Sequence, residues 1–443
     1  MSSISDRLDR LPITSTHRWV TTIFAFAYFF ELSDLHGTFS FAAPALVKAW
    51  GIHMSSIAFI ASAAGGGMLV GSTVGGLLAD KIGRKYTFIA SLALYTITSL
   101  LNAFAWNVPS LAVFRLATGT GLSAMTVIAN TYISEFFPAR VRGKMLAKIV
   151  AFGLLGRPVT GWVARWLVTL GPNGWRFIFV WGSLGVIAAP IAWLKLKESP
   201  RWLATHGMAK GAEAIVAQME QTAIAEHGEL PPLVPVPQSE KPARISYGQI
   251  FGSKYRRRTI VLFASSICST LGIFGFLTWV PTLLVHRGFS IVTSLGYSSL
   301  IITFNPIGAA LGTLLIERME RKYYIAAVGW VLSLAALCYG LAFSPLFIIV
   351  FGATVAMGVQ MYTVGQWTYQ TENFPTEVRS GAIGFLYGAG RIASMVCPFI
   401  VSALYNFAGY YSVFFYIAGC YFLGGTIVAL FGPKSTGYSL ESV

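Results

Sequence analysis

The chain has 443 residues, 55% of them hydrophobic and only 11% charged, and its mean hydropathy is +0.64. A soluble domain carries about a quarter charged residues, so a soluble enzyme, a disordered chain and a fibrous protein are all excluded, and a polytopic membrane protein remains. The net charge of +15 would suggest a nucleic-acid partner in a soluble protein. Here it reads as basic residues retained in cytoplasmic loops, and no nucleic acid is expected.

At roughly 20 apolar residues per crossing, the chain accommodates about a dozen helices. Residues 1–18 are polar and basic and show no signal-peptide cleavage pattern, which predicts a cytoplasmic N-terminus and a retained first span. Six apolar segments follow within 19–196. Residues 197–258 differ: ESPRWLATHG precedes a helix-like run, AKGAEAIVAQMEQTAIAEHG, and then the Pro-rich PPLVPVPQSEKP. The Pro-rich piece cannot continue a helix and predicts an extended linker. Six more apolar segments fall within 259–432, and residues 433–443 form a short C-terminal tail. The expected fold is an all-α membrane protein with twelve transmembrane helices in two pseudo-symmetric six-helix bundles.

The loops after the second, fourth, eighth and tenth spans hold Lys81, Arg84, Lys85, Arg140, Arg142, Lys144, Arg318, Arg321, Lys322 and Arg379. The opposite loops hold only Arg176 and Arg287, with Lys48 at the edge. This asymmetry predicts that both termini and the central loop are cytoplasmic.

The halves repeat. GLLADKIGRK and TLLIERMERK align at an offset of 237 residues, as do TYISEFFPARVRG and TYQTENFPTEVRS, where seven of thirteen positions match. Two matches in one register imply duplication, and parallel repeats of this kind place a substrate site near mid-membrane at their interface.

Ionisable residues at membrane depth are costly, about 3 kcal/mol on insertion scales, and are therefore the first functional candidates. Glu31 and Asp34 lie three apart on one face of the first span. Desolvation and a like-charged neighbour could tune such a pair to load and release a proton. Arg391 lies twelve residues past Arg379, roughly 18 Å deep, and Arg157 lies at similar depth past Lys144. Arg157 is also three positions from the repeat mate of Arg391. Two guanidiniums facing one cavity would bind a carboxylate bidentately, so an organic anion is the expected substrate. The alternative is that each arginine neutralises Asp34 or Glu31. Tyr28, Phe29, Trp279, Tyr362, Trp367 and Tyr387 could line the cavity and stack on a planar acid, although many rings in such a chain face lipid. Gln360, Gln366 and Asn305, before Pro306, are polar and mid-helix and could bind substrate or satisfy a kinked backbone.

The four cysteines (Cys268, Cys338, Cys397 and Cys420) fall in apolar stretches and read as packed thiols. No His-Glu-x-x-His or cysteine–histidine spacing suggests a metal, and no Gly-rich phosphate loop follows a strand. No metal, cofactor or enzymatic activity is expected.

Asp80-Lys81-Ile82-Gly83-Arg84-Lys85 resembles the signature loop of the major facilitator superfamily, and Arg115-Leu-Ala-Thr-Gly119-Thr-Gly121 resembles its fourth-helix motif. Glu198-Ser-Pro-Arg-Trp-Leu203 resembles a motif shared by sugar porters and organic-ion transporters. FELSD, FGFLTWVPTLL and FPTEVRSGAIGFLYGAGRIAS resemble the niacin and aromatic-acid:proton symporters, whereas the Gln-rich seventh-helix signature of sugar porters is missing. The resemblance implies a cytoplasmic gate built from Asp80, Arg84, Glu135, Arg140 and Arg142, with Glu317, Arg321, Glu372 and Arg379 as the second copy. Asp80 would bridge to Arg140 or Arg142, or face a helix N-terminus. The resemblance also implies that Arg115 supports proton coupling, although it could equally pair with Glu135 or Asp80.

The expectation is a proton-coupled secondary transporter that imports a small aromatic or nicotinate-like carboxylate by alternating access. It would act as a monomer in a bacterial inner membrane, with protons, the anion and the bilayer as its partners. A sugar or organic-cation transporter is the alternative, and a non-transporting sensor on the same fold is a third possibility.

Overall fold

A computed structural model describes residues 4–233, 250–253 and 255–435. The Pro-rich linker from residue 234 onward and the tail from 436 onward lie outside the described residues. Every regular element among the described residues is helical. Among the described residues, ten helices are long and apolar enough to cross a membrane. Hydrocarbon cannot satisfy a free N–H or C=O, and a helix satisfies both internally.

Several helix ends follow directly from the sequence. Asn107 caps Val108–Phe136 by accepting from Ser110 N at 2.8 Å, and Ser290 caps Ile291–Thr303 by accepting from Thr293 N at 3.1 Å. Gly51 ends Phe39–Trp50 in the left-handed region at φ 63°. Thr376–Phe431 is interrupted at Gly409, with φ 77°, a conformation that glycine adopts without steric cost.

Four helix interruptions fall at residues that matter below. The Ser15–Ser33 helix passes into Phe39–Trp50 through a π turn, Asp34–Thr38. Ala139–Leu154 gives way to Gly156–Leu167 beside Arg157. Ile291–Thr303 restarts at Asn305–Pro306, and Arg256–Leu277 restarts after Trp279, ahead of Pro281. A proline removes a donor and disfavours helical geometry at the residue before it. π turns recur at functional positions.

The chain divides into two compact units. The first comprises Met1–Leu35, Gly66–Gly156 and Phe179–Ser239, and the second His36–Gly65, Arg157–Ile178 and Glu240–Val443. In the first, Phe24 stacks on Phe88 at 4.3 Å and lies 5.2 Å from Tyr132, within a core that includes Tyr95, Met125 and Ile128. Arg7 and Arg10 both donate to Glu220 of the Ala209–His227 helix, at 2.5 and 2.6 Å. Burial pushes the Glu220 carboxyl up, but these two donors outweigh it and hold the group below its ordinary range.

Gly67, Gly71 and Gly75 form one stripe, one turn apart, that packs on Leu116, Thr120 and Ala124 of Val108–Phe136. Small residues at this spacing let helix backbones approach closely. A Cβ on Gly71 would come within 2.8 Å of the Thr120 backbone carbonyl carbon and Cα. Gly71→Ala is therefore expected to destabilise the protein by about 1–3 kcal/mol, read as a lowered melting temperature in detergent. Gly143→Ala, where a Cβ meets open space, should leave the melting temperature unchanged or raised.

In the second unit, Ser40 donates to the carbonyls of Leu277 and Thr278 at 3.0 and 2.8 Å, and Ser62 donates to Met395 O at 2.7 Å. Pieces of chain from before residue 179 are thus bonded directly to helices from after residue 256.

Candidate functional site: charges buried at membrane depth

In the first unit, the π turn opens with Asp34, which is fully buried. Its Oδ1 accepts from Arg115 Nη1 at 2.5 Å and its Oδ2 from Ser99 Oγ at 2.5 Å. Arg115 is itself 2% exposed. Two short charge-assisted bonds fix the carboxylate. One turn earlier, Glu31 accepts from Thr126 Oγ1 at 3.0 Å. Both acids therefore face the Val108–Phe136 helix. Arg115 thus pairs with Asp34, and not with the Glu135 or Asp80 expected from the sequence. Tyr28 donates to Asn130 Oδ1 at 3.0 Å.

In the second unit, Arg157 is 6% exposed and donates to Asn305 Oδ1 at 3.1 Å. Asn305, at its helix restart, donates in turn to Ala356 O at 3.0 Å. Arg391 donates to the Tyr387 hydroxyl and lies with its guanidinium 4.5 Å from the Tyr387 ring centroid. Gln366 donates to Ser266 Oγ at 3.2 Å, and Gln370 joins the same hydroxyl at 2.7 Å. Tyr362 is buried, 3.3 Å from Ser265 Oγ. Trp279 is buried, and its indole N–H has no hydrogen-bond partner. Trp367 stands apart from these, 60% exposed on the helix surface.

Some of the residues expected to form a gate gather in two clusters, one in each unit. Arg84 donates from Nη1 to Ala79 O and Asp80 Oδ1, each at 2.7 Å, and from Nη2 to Glu135 Oε1 at 2.9 Å. Asp80 is thus held by Arg84, one turn along the signature loop. Arg140 instead reaches Leu11 O at 3.1 Å, and Arg142 lies 4.0 Å from Asp9. In the other unit, Arg321 bonds Glu372 at 3.3 Å and also Ile316 O. Each of these contacts is offset by 237 residues from its counterpart: 84 to 321, 135 to 372 and 79 to 316. Arg142 to Phe137 O and Arg379 to Phe374 O repeat in the same register. Glu317, the counterpart of Asp80, is exposed.

Glu198, from the motif after the sixth apolar segment, accepts from the backbone N–H groups of Arg84, Lys85 and Ser199 at 2.8–3.1 Å. Burial pushes its carboxyl above the ordinary range, against the pull of these donors. Ser99, Thr126, Asn130, Ser266 and His36 also contribute polar groups here. As isolated polar residues within apolar runs they offered no motif to sequence reasoning.

The family model described as sugar (and other) transporter matches residues 20–443. The chain belongs to this family. Its fold is that of the major facilitator superfamily: the solved D-xylose–proton symporter superposes with a TM-score of 0.74 at 18% identity, over 96% of this chain and 99% of that one. YyaJ of Bacillus subtilis, described only as a metabolite transport protein, is 39% identical over 98% of this chain and 96% of its own. The niacin transporter NiaP of Acinetobacter baylyi is 28% identical over 99% and 98%. This transporter is therefore an integral membrane protein that moves small molecules, and not an enzyme.

Proposed function

We propose that this transporter imports a small aromatic or nicotinate-like carboxylate together with a proton, by alternating access. What carries the reading is the set of ionisable side chains kept at membrane depth. Asp34, with Glu31 near it and Arg115 as its counter-ion, is the proton carrier. Arg157 and Arg391 hold the substrate carboxylate. A guanidinium binds a carboxylate through paired charge-assisted hydrogen bonds, and the sequence puts both arginines at membrane depth. The niacin specificity of NiaP supports the substrate class. Asn305, Tyr387, Gln366, Tyr362 and Trp279, all in the same compact unit as the two arginines, complete the proposed binding set, which leaves out Tyr28 of the first unit and the exposed Trp367.

Twelve crossings in two repeats fit this reading. Counting the stretch on either side of Gly409 as two spans, and the broken Ser15–Trp50 segment as one more, adds two to the ten long apolar helices. The proposed divisions stay at 19–196 and 259–432, with both termini and the 197–258 linker cytoplasmic, and a monomer in a bacterial inner membrane.

A sugar is the second reading, favoured by the family description and by the xylose symporter structures. Thermal-shift screening of the purified protein against nicotinate, benzoates, short carboxylates and xylose separates the two. Stabilisation by acids alone is the expected result, and stabilisation by xylose alone would reverse the assignment. Buried guanidiniums argue against an organic cation.

For the gate residues, we expect Arg84→Ala to lower turnover about tenfold, about 1.4 kcal/mol on the rate-limiting step. The apparent KM should move by less than about threefold, since a conformational latch acts on kcat and not on substrate contact. Initial uptake rates in proteoliposomes check this. A raised KM at unchanged kcat would contradict a gate.

A further inference from the structure

His36 lies in the π turn, two residues beyond Asp34 but in the other compact unit. It is 5% exposed. Its ring lies 4.6 Å from the Phe274 ring, tilted by 60°. Gly37, the next residue, faces Thr160, one turn from Arg157, and Gly390, beside Arg391, faces Thr270, one turn before Phe274. The His36 Nδ1 is buried and has no hydrogen-bond partner among the described residues. Leaving such an atom unsatisfied is costly, and buried polar groups are as a rule satisfied by protein, water or ligand. A phenylalanine or leucine would fill the same space without that cost.

We propose that His36 is a substrate-selecting residue whose Nδ1 hydrogen-bonds a second polar atom of the carried acid, a ring nitrogen or hydroxyl. The inference rests on the assignment of Arg157 and Arg391 as the carboxylate site. With Arg157 and Arg391 as the carboxylate site, His36 adds a second recognition point: an anionic group for the forks and a neutral hydrogen-bonding group for the imidazole. Phe274, against the imidazole, supplies an apolar ring face suited to a planar aromatic body. The ligand class is thus an aromatic or heteroaromatic carboxylate with one further polar ring substituent. Unsubstituted benzoate satisfies the arginines and leaves Nδ1 bare. Sites built to hydrogen-bond a substrate group discriminate strongly against analogues that lack it.

The test measures dissociation constants of benzoate, nicotinate and the three hydroxybenzoates by titration calorimetry, for the purified wild-type transporter and for His36→Leu and His36→Asn. The wild type should bind at least one polar-ring acid about tenfold or more tightly than benzoate. In His36→Leu that ratio should fall to about one while benzoate affinity is kept. His36→Asn, which returns a polar atom close to the Nδ1 position, should recover part of the ratio. An unchanged ratio in His36→Leu overturns the proposal and leaves the anion site standing. A wild type that prefers none of these acids over benzoate overturns it without any variant, which covers a leucine variant that fails to fold. A wild type that binds no carboxylate removes the anion site and this proposal together.

Discussion

Asp34→Asn is expected to abolish substrate accumulation driven by a pH gradient while sparing exchange of labelled for unlabelled substrate. Asp34 is fully buried between Arg115 and Ser99. An amide keeps the shape but can neither carry the proton nor balance the guanidinium. Exchange needs only reorientation of the loaded carrier, whereas accumulation needs the proton cycle. Proteoliposomes with an imposed pH gradient, compared with counterflow in the same vesicles, separate these. Accumulation at the wild-type level in Asp34→Asn would remove Asp34 as the carrier. The substitution should also destabilise the protein, because removing one member of a buried pair leaves an uncompensated charge at about 3–5 kcal/mol. A double variant, Asp34→Leu with Arg115→Met, replaces the pair with apolar groups and should regain much of that stability. It should still fail to accumulate substrate, which separates a folding defect from loss of coupling.

Arg391→Ala is expected to weaken carboxylate binding by about ten- to hundredfold, about 1.4–2.8 kcal/mol. Loss of a charge-assisted bond within a site of low dielectric is worth roughly this much. Arg391→Lys should recover part of the affinity, since it restores the charge but not the planar fork. Arg157→Ala should weaken binding in the same direction and also release Asn305, so its melting temperature should fall further than that of Arg391→Ala. Titration calorimetry with a carboxylate that binds the wild type checks all three. If Arg391→Ala and Arg157→Ala both bind the acid with wild-type affinity, the substrate is not held through its carboxylate by these arginines.

Depth and face were legible for several of these groups. The three-residue spacing of Glu31 and Asp34 put both on one helix face, and in the structure both turn toward Val108–Phe136. The 237-residue offset anticipated the second arginine–glutamate pair, Arg321 with Glu372, because residues at equivalent repeat positions occupy equivalent helix ends. The partner of Arg115 was not legible. Glu135 and Asp80 were the candidates, and the residue that meets it, Asp34, lies 81 positions away. Asp80 was expected to reach across to Arg140 or Arg142, yet Arg84, four residues on, lies 2.7 Å away. A local partner keeps the carboxylate occupied without ordering a distant loop, whose entropy would have to be overcome. His36 was passed over because a single histidine in an apolar run has no periodicity that distinguishes packing from function. Only its buried, unpartnered nitrogen marks it.

Composition and the spacing of apolar segments were enough to establish an all-helical membrane protein, because lipid leaves the backbone so few solutions, and the signature-loop and fourth-helix motifs carried the resemblance to its family. Which charge meets which was decided by the tertiary structure alone. Ion-pair choice depends on separations of a few ångströms and on exclusion of water, and both are set by where broken helices such as those at Asp34, Arg157 and Asn305 come to rest.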